Sequence, residues 1–437
     1  MYISSYKCRC LMKATYKQII APIASLALIM LGQGFFNTYV SVKLNAVGYS
    51  ASLNGLVNAC YFLGIMIGGI YIEKFMNHIG HIRAFAIFAS MNAAIVTLQS
   101  VSISIWSWML LRCLMGICAA GLFIVIESWL LLLSSTKTRG KLLSLYMVGL
   151  YLAQALGQFI LNFVDINTQA PFLTSIFLSS ISVIPVCVMR SGSPQVTEDA
   201  SVTTIFHIFK ICPFGALGCF IAGMILSAFY SLGPVFARES GFSIMQLTQI
   251  MGLTIFGGLA LQWPIGHLSD IIDRLKVLLI VAFFLLVISF VLFISTSMSY
   301  WLFLLLCILF GGFSFTLYPL SITFTCDHFT SNNIISITCS LLIVYGTGSI
   351  LGPLISPILM LIRPSGLFLY VSILSLLLIF VGIFKMKRKT AISEEEQGEY
   401  IPLPRTTALA YYLDPRQEEK DDDALEEYLF QSDEEHS

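Results

Sequence analysis

Mainly apolar windows of about 20 residues, all but one of them uncharged, recur along the chain, the length that one helix needs to cross a bilayer core of about 30 Å. Twelve are found, at 18–40, 51–72, 84–101, 106–133, 142–164 and 171–189, then at 211–237, 245–268, 277–294, 300–324, 334–361 and 366–384. Short polar connections separate them. The expected fold class is an all-α polytopic membrane protein. The first window is full length and is followed by more spans, unlike a cleaved leader; Met12 is a second candidate start.

Composition agrees. Of 437 residues, 57 % are apolar and 11 % charged, against about 25 % charged in soluble domains, which excludes an ordinary soluble enzyme. The formal net charge is zero, but 15 of the 24 acidic residues lie beyond Thr390. The charge balance gives no reason to invoke nucleic acid. Eleven cysteines, among them Cys60, Cys113, Cys118, Cys187, Cys219 and Cys307, are mostly scattered through apolar stretches with no C-x-x-C. They read as small buried hydrophobes.

Basic residues orient the spans, because positive connections stay cytoplasmic. Lys7, Arg9, Lys13 and Lys17 precede the first span. Lys74, Arg83, Lys137, Arg139, Lys141, Arg190, Lys210, Arg274 and Lys276 fall in the even-numbered connections, and seven more basic residues follow from Lys385. The odd-numbered connections hold only Lys43, Arg238 and Arg363. Both termini are therefore expected in the cytoplasm. The connection after span 10, with Asp327 and His328 but no Lys or Arg, is the exception.

An internal repeat appears at an offset of 193 residues. It sets Gly48-Tyr49-Ser50 on Gly241-Phe242-Ser243, Gly64 on Gly257, Asn77 on Asp270 and Arg83 on Lys276. Spans 2 and 8 thus correspond, as in carriers built from related halves. The expected organisation is an N-terminal segment 1–17, six-helix bundles at 18–189 and 211–386, a cytoplasmic linker 190–210, and an acidic tail 387–437.

With these residues in place the chain resembles the major facilitator superfamily over nearly its whole length. That superfamily marks the turns after helices 2 and 8 with Gly, three residues, Asp, then basic residues and Gly. The second copy here reads Gly266-His267-Leu268-Ser269-Asp270 with Asp273-Arg274; Asp273 stands where the later Gly is usual. The first copy is eroded, keeping Gly80 and Arg83 with Asn77 in the acidic position. Arg112 and Gly116 match a second pattern in helix 4. Glu127-Ser128-Trp129, Thr138-Arg139-Gly140-Lys141, Leu156-Gly157-Gln158, Gln262-Trp263-Pro264-Ile265-Gly266 and Leu317-Tyr318-Pro319 resemble the YcaD-like bacterial branch. The resemblance narrows the family and not the cargo. It implies two pseudo-symmetric six-helix bundles, cytoplasmic gates at Asn77, Gly80, Arg83, Gly266, Asp270 and Arg274, and Asp270 set against the N-terminus of helix 5. Uncharged Asn77 implies a weaker latch in the first half.

Charge deep in lipid costs several kcal/mol unless paired, and Arg112 and Glu127, both in span 4, are the two candidates. Fifteen residues separate them, about 22 Å along a helix, so each needs its own partner. Glu127 reads either as a proton-coupling site or as a gate ion pair with Arg83, Lys74 or Arg139. Arg112 reads either as a recognition site for a carboxylate or phosphate or as a packing arginine satisfied by carbonyls or by Asp165. The resemblance implies a cavity lined by helices 1, 4, 7 and 10. Gln33 and Asn37, four apart and on one face, join Tyr230, Tyr318 and Gln262 as its candidates, with interhelical hydrogen bonding as the alternative role. Gly346, Gly348, Gly352, Pro353 and Pro357 are expected to bend span 11.

No phosphate-cradling G-x-x-x-x-G-K-[ST] is present, and no Ser-His-Asp set can be assembled. His78 and His81 are placed in a loop without a third ligand, so no metal or other cofactor is expected. The tail opens with Lys387-Arg388-Lys389, suited to an anionic leaflet, and becomes acidic; disorder is expected for much of it. Its stretch 400–405 is apolar enough to read as a docking segment. The expected function is secondary transport of a small solute across a bacterial inner membrane, coupled to protons, by a monomer in the lipid bilayer. ATP and nucleic acid have no part in it. A substrate sensor or a lipid translocase on the same fold is the alternative.

Overall fold

The structure is a computed structural model that describes residues 2–101, 104–134, 138–188, 211–295, 298–329, 334–387 and 400–407, with 2–19, 73–75, 77–78, 132, 334–336 and 387 described as backbone only. The expected linker and most of the expected tail lie outside the described residues. Among the described residues, twelve helices are long and apolar enough to span a membrane. The first six are α1 (Ile20–Ala46), α2 (Ala51–Ile72), α3 (His81–Val101), α4 (Ile105–Leu131), α5 (Arg139–Asn162) and α6 (Ala170–Cys187). The second six are α7 (Pro213–Glu239), α8 (Ile244–Ile271), α9 (Arg274–Ile294), α10 (Tyr300–Cys326), α11 (Ile337–Met360) and α12 (Gly366–Met386). Each expected window has its helix, and no strand occurs among the described residues.

The helices pack as two groups. In the first, α2 lies on α4, α1 on α5, and α3 on α4 and α6; in the second, α8 lies on α10, α7 on α11, and α9 on α12. The groups meet through α2 with α11 and α5 with α8, two contacts related by the same six-helix shift. Trp106, Trp263 and Trp301 are each about three-quarters exposed on the outside, beside many exposed Leu, Ile and Phe side chains. In water such a surface would be an aggregation site; against lipid it needs no partner.

Local geometry carries the repeat. Gly48 (φ 95°) and Gly241 (φ 81°) turn the chain through left-handed backbone, open to glycine without strain. Two residues on, Ser50 and Ser243 cap α2 and α8, accepting from the N–H of Leu53 at 3.3 Å and of Gln246 at 3.2 Å. A methyl group on Gly64 would stand 2.0 Å from the Cys113 carbonyl oxygen, and one on Gly257 would stand 2.1 Å from that of Ile308. Both glycines let α2 and α8 lie directly against the backbones of α4 and α10.

One expectation changes. His81 does not lie in a loop: Gly80, at φ 82°, turns the chain within one residue, and His81 opens α3 as a buried side chain with Nε2 2.7 Å from the Ser128 hydroxyl. Gly348 and Gly352 of α11 serve contact, since methyl groups on them would stand 2.2 and 2.3 Å from the Phe220 and Met224 carbonyls of α7.

The two ends of the molecule differ. At the end bearing the odd-numbered connections the halves touch directly. A methyl on Gly55 of α2 would stand 2.0 Å from the Pro353 carbonyl of α11, Asn162 of α5 donates to Thr248 of α8 at 2.9 Å, and Asn45 donates to Glu239 at 3.2 Å. At the even end the segment 400–407 lies between the halves.

Candidate functional site

Arg112 is 1 % exposed and sits at the wall of a cavity of about 130 Å³ between the two halves. Nη1 donates to Asn37 Oδ1 of α1 at 2.8 Å, and Nη2 donates to Asn58 Oδ1 of α2 at 2.9 Å. The guanidinium carbon lies 4.3 Å from the centre of the Tyr61 ring, whose hydroxyl donates to Gln33 Oε1 at 3.4 Å. Asn58 is itself held, donating to Asn54 Oδ1 at 2.9 Å and to the Ser41 hydroxyl at 3.2 Å. These are neutral partners. They orient the fork without cancelling its charge, and Nε has no hydrogen-bond partner. Asp165 does not serve Arg112: it is exposed and accepts the Asn167 N–H of its own turn at 2.9 Å.

Gln33, Asn37, Arg112 and Tyr230 share this cavity, as do Asn58, Tyr61, Tyr151, Gln154 and Tyr345. Tyr230 of α7 donates to Gln154 of α5 at 3.2 Å, a bond between the halves. Tyr318 and Gln262 are buried but are not in the wall. Tyr318 packs behind it, ring centre 4.6 Å from Tyr345. Gln262 lies near Tyr400.

Glu127 is fully buried near the even end of α4. One carboxylate oxygen accepts from the hydroxyls of Tyr146 and Thr406, and the other accepts from Thr407. Two of these three donors belong to the C-terminal segment. Of the basic partners expected for Glu127, Arg83 has an exposed side chain, and the side chain of Lys74 lies outside the described residues.

At the second gate motif, a methyl on Gly266 would stand 2.2 Å from a Tyr400 ring carbon. In this conformation Asp270 accepts from the Tyr400 backbone N–H at 2.7 Å and pairs with Arg274 at 3.2 Å. Arg274, 0 % exposed, also pairs with Asp327. That pair accounts for the connection after α10, which carries an acid where basic residues were expected. In the first motif the helix of α2 runs on past its span to Ile79 and Gly80 caps it, and the side chain of Asn77 lies outside the described residues.

The C-terminal segment enters from the even end. Ile401 and Leu403 are 6 % and 1 % exposed, and Pro404, Arg405 and Thr406 complete the cavity wall. Arg405 Nη2 donates to the Tyr151 hydroxyl at 2.5 Å, and its guanidinium carbon lies 4.6 Å from the Phe315 ring centre and 5.4 Å from that of Tyr151. Among the described residues no three His, Cys, Asp or Glu side chains converge as a metal site requires. The arrangement is suited to holding a solute and to changing which end is closed.

Known proteins share this plan. Residues 23–344 match the model of the Major Facilitator Superfamily. A protein of Escherichia fergusonii described as the uncharacterized MFS-type transporter YcaD is 29 % identical over 348 residues, 79 % of this chain and 89 % of its own. Its Salmonella arizonae namesake is 29 % identical over 342 residues, 77 % and 87 % of the two chains. Among solved structures, the nucleoside transporter NupG superposes with a TM-score of 0.67 at 13 % identity, covering 85 % of this chain and 99 % of its own. A bacterial homologue of the human lysosomal transporter Spinster, inward-facing and occupied, gives 0.67 at 13 % identity, with 87 % and 97 % covered. The chain belongs to the major facilitator superfamily of membrane transporters.

Proposed function

We propose that this chain is a secondary transporter that carries a small solute across a bacterial inner membrane, with the cavity around Arg112 as its solute site and the two bundles rocking about it. The observation that carries this reading is Arg112 itself. A buried guanidinium held by two neutral amides keeps its charge uncompensated, an arrangement that costs stability and is suited to receiving a carboxylate or phosphate on the solute.

Protons are the proposed coupling ion, with Glu127 as the group that changes charge. Its hydroxyl partners include Thr406 and Thr407, which sit on a segment that rocking would displace. The bundles are proposed to span 18–189 and 211–386, joined by 190–210. Both termini are proposed to lie in the cytoplasm, so the even end faces inward and the conformation is inward-facing. The test is purified protein in proteoliposomes, screened for solute uptake or efflux with and without a pH gradient. Accumulation that collapses with Arg112→Lys supports the reading. No accumulation of any solute that stabilises the purified protein argues against it.

A further inference from the structure

In the rocking scheme the segment 400–407 is only displaced from Glu127, yet it also fills the cavity that the scheme needs. It touches Asp270 of α8 through the Tyr400 N–H and Glu127 of α4 through Thr406 and Thr407, so it bridges both halves. With it seated, about 130 Å³ of cavity remains, below the about 300–1,000 Å³ of small-molecule sites. The group it delivers to the centre is the guanidinium of Arg405. Phe315 and Tyr151 lie over that guanidinium at 4.6 and 5.4 Å, and Tyr230 and Tyr345 stand around it. Its Nη1 has no hydrogen-bond partner. Ring faces hold this charge together with the Tyr151 hydroxyl that accepts from Nη2, and ring faces are how proteins hold organic cations.

We infer that Tyr151, Tyr230, Phe315 and Tyr345 form a subsite for a guanidinium-type cation, and that Arg405 fills it as an internal stand-in for the solute. The segment 400–407 is then a built-in competitor that enters from the even end. This rests on reading the cavity as the solute site. With Arg112 in the same cavity, the solute class that satisfies both ends is a zwitterion, its anionic group toward Arg112 and its cationic group among the rings. Release of the segment also frees α8 from α4, so occupancy of the cavity and rocking are coupled.

The test uses the chain ending at Lys389, purified in detergent, with a synthetic peptide of residues 400–407 as the probe and calorimetry as the readout. Saturable one-to-one binding is expected, weakened at least tenfold by Arg405→Ala in the peptide and displaced by millimolar methylguanidinium. The full-length chain, its site already filled, should bind the peptide at least tenfold more weakly. Phe315→Ala risks the fold, so Tyr151→Phe, which keeps the ring and loses the acceptor hydroxyl, is the variant in the protein; severalfold weaker binding is expected. Equal affinity of the Arg405→Ala peptide, or no displacement by methylguanidinium, overturns the cation subsite. Equal binding to the full-length chain overturns the competitor. None of these readouts uses transport, so their failure leaves the transport reading intact, and absent transport with a bound peptide would sink that reading alone.

Discussion

Arg112 of α4 donates to Asn37 of α1 at 2.8 Å, and the same guanidinium donates to Asn58 of α2 at 2.9 Å, so one side chain ties three helices at the cavity wall. Arg112→Lys keeps the charge and loses the two-armed geometry. Solute affinity should fall by about tenfold or more, the scale of a lost charge-assisted hydrogen bond at about 1.5–3 kcal/mol, while the thermal midpoint moves little. Equal affinity in a binding titration would show that the fork does not touch the solute.

Glu127→Gln keeps an acceptor for the hydroxyls of Tyr146, Thr406 and Thr407 and removes the charge. Counterflow, which needs no net proton movement, should persist, and uphill accumulation under a pH gradient should be lost. Accumulation at the unsubstituted level removes Glu127 from coupling.

Arg274 is buried between two acids of unequal exposure, Asp327 with 5 % of its side chain accessible and Asp270 with 33 %. Removing one partner of a buried pair costs about 3–5 kcal/mol, whereas exposed pairs contribute about 0–1 kcal/mol. Asp327→Asn should therefore lower the thermal midpoint markedly, and Asp270→Asn should have a small effect on it. Equal shifts would contradict the ranking.

His328, just beyond α10, has its pKa lowered below the ordinary 6.5, first by burial and then by Lys385. Its Nδ1–H donates to the Phe324 carbonyl at 2.8 Å, and Nε2 lies 3.4 Å from Lys385 Nζ, a geometry for the neutral ring. The folded chain resists a proton that the unfolded chain accepts, so stability is full above about pH 6.5 and falls as pH drops below it. His328→Gln should flatten that part of a melting curve series between pH 7.5 and 5. An unchanged acid slope would assign it to other groups.

The spans were legible because only lipid suits so many mainly apolar runs of about 20 residues, and the Gly48 and Gly241 turns made the repeat visible. Arg112 and Glu127 stood out as the charged residues within such runs. Their partners did not. Asn54 and Asn58 are four apart on α2, the same signal that singled out Gln33 and Asn37 on α1, but spacing within a helix does not say which neighbour its face meets. Tyr318 and Gln262 illustrate the converse, since belonging to a plausible helix did not put either in the wall. The segment 400–407 was recognisable as too apolar for a solvated tail, yet its depth depends on the shape of the opening between bundles, which no local pattern encodes. Asp327 was noticed as an anomaly of charge, and its meaning needed the buried Arg274 beside it.

Transport by two rocking bundles requires the halves to exchange which end is closed. Nitroxide labels at Asn45→Cys and Glu239→Cys, in a cysteine-depleted background in lipid, report on the contact that closes the odd end, where these residues lie 3.2 Å apart. Double electron–electron resonance should give a short distance in the full-length chain. A second, longer population should grow when the chain is cut after Lys389. One short distance in both chains, unchanged by pH and by any solute that binds, would contradict alternating access.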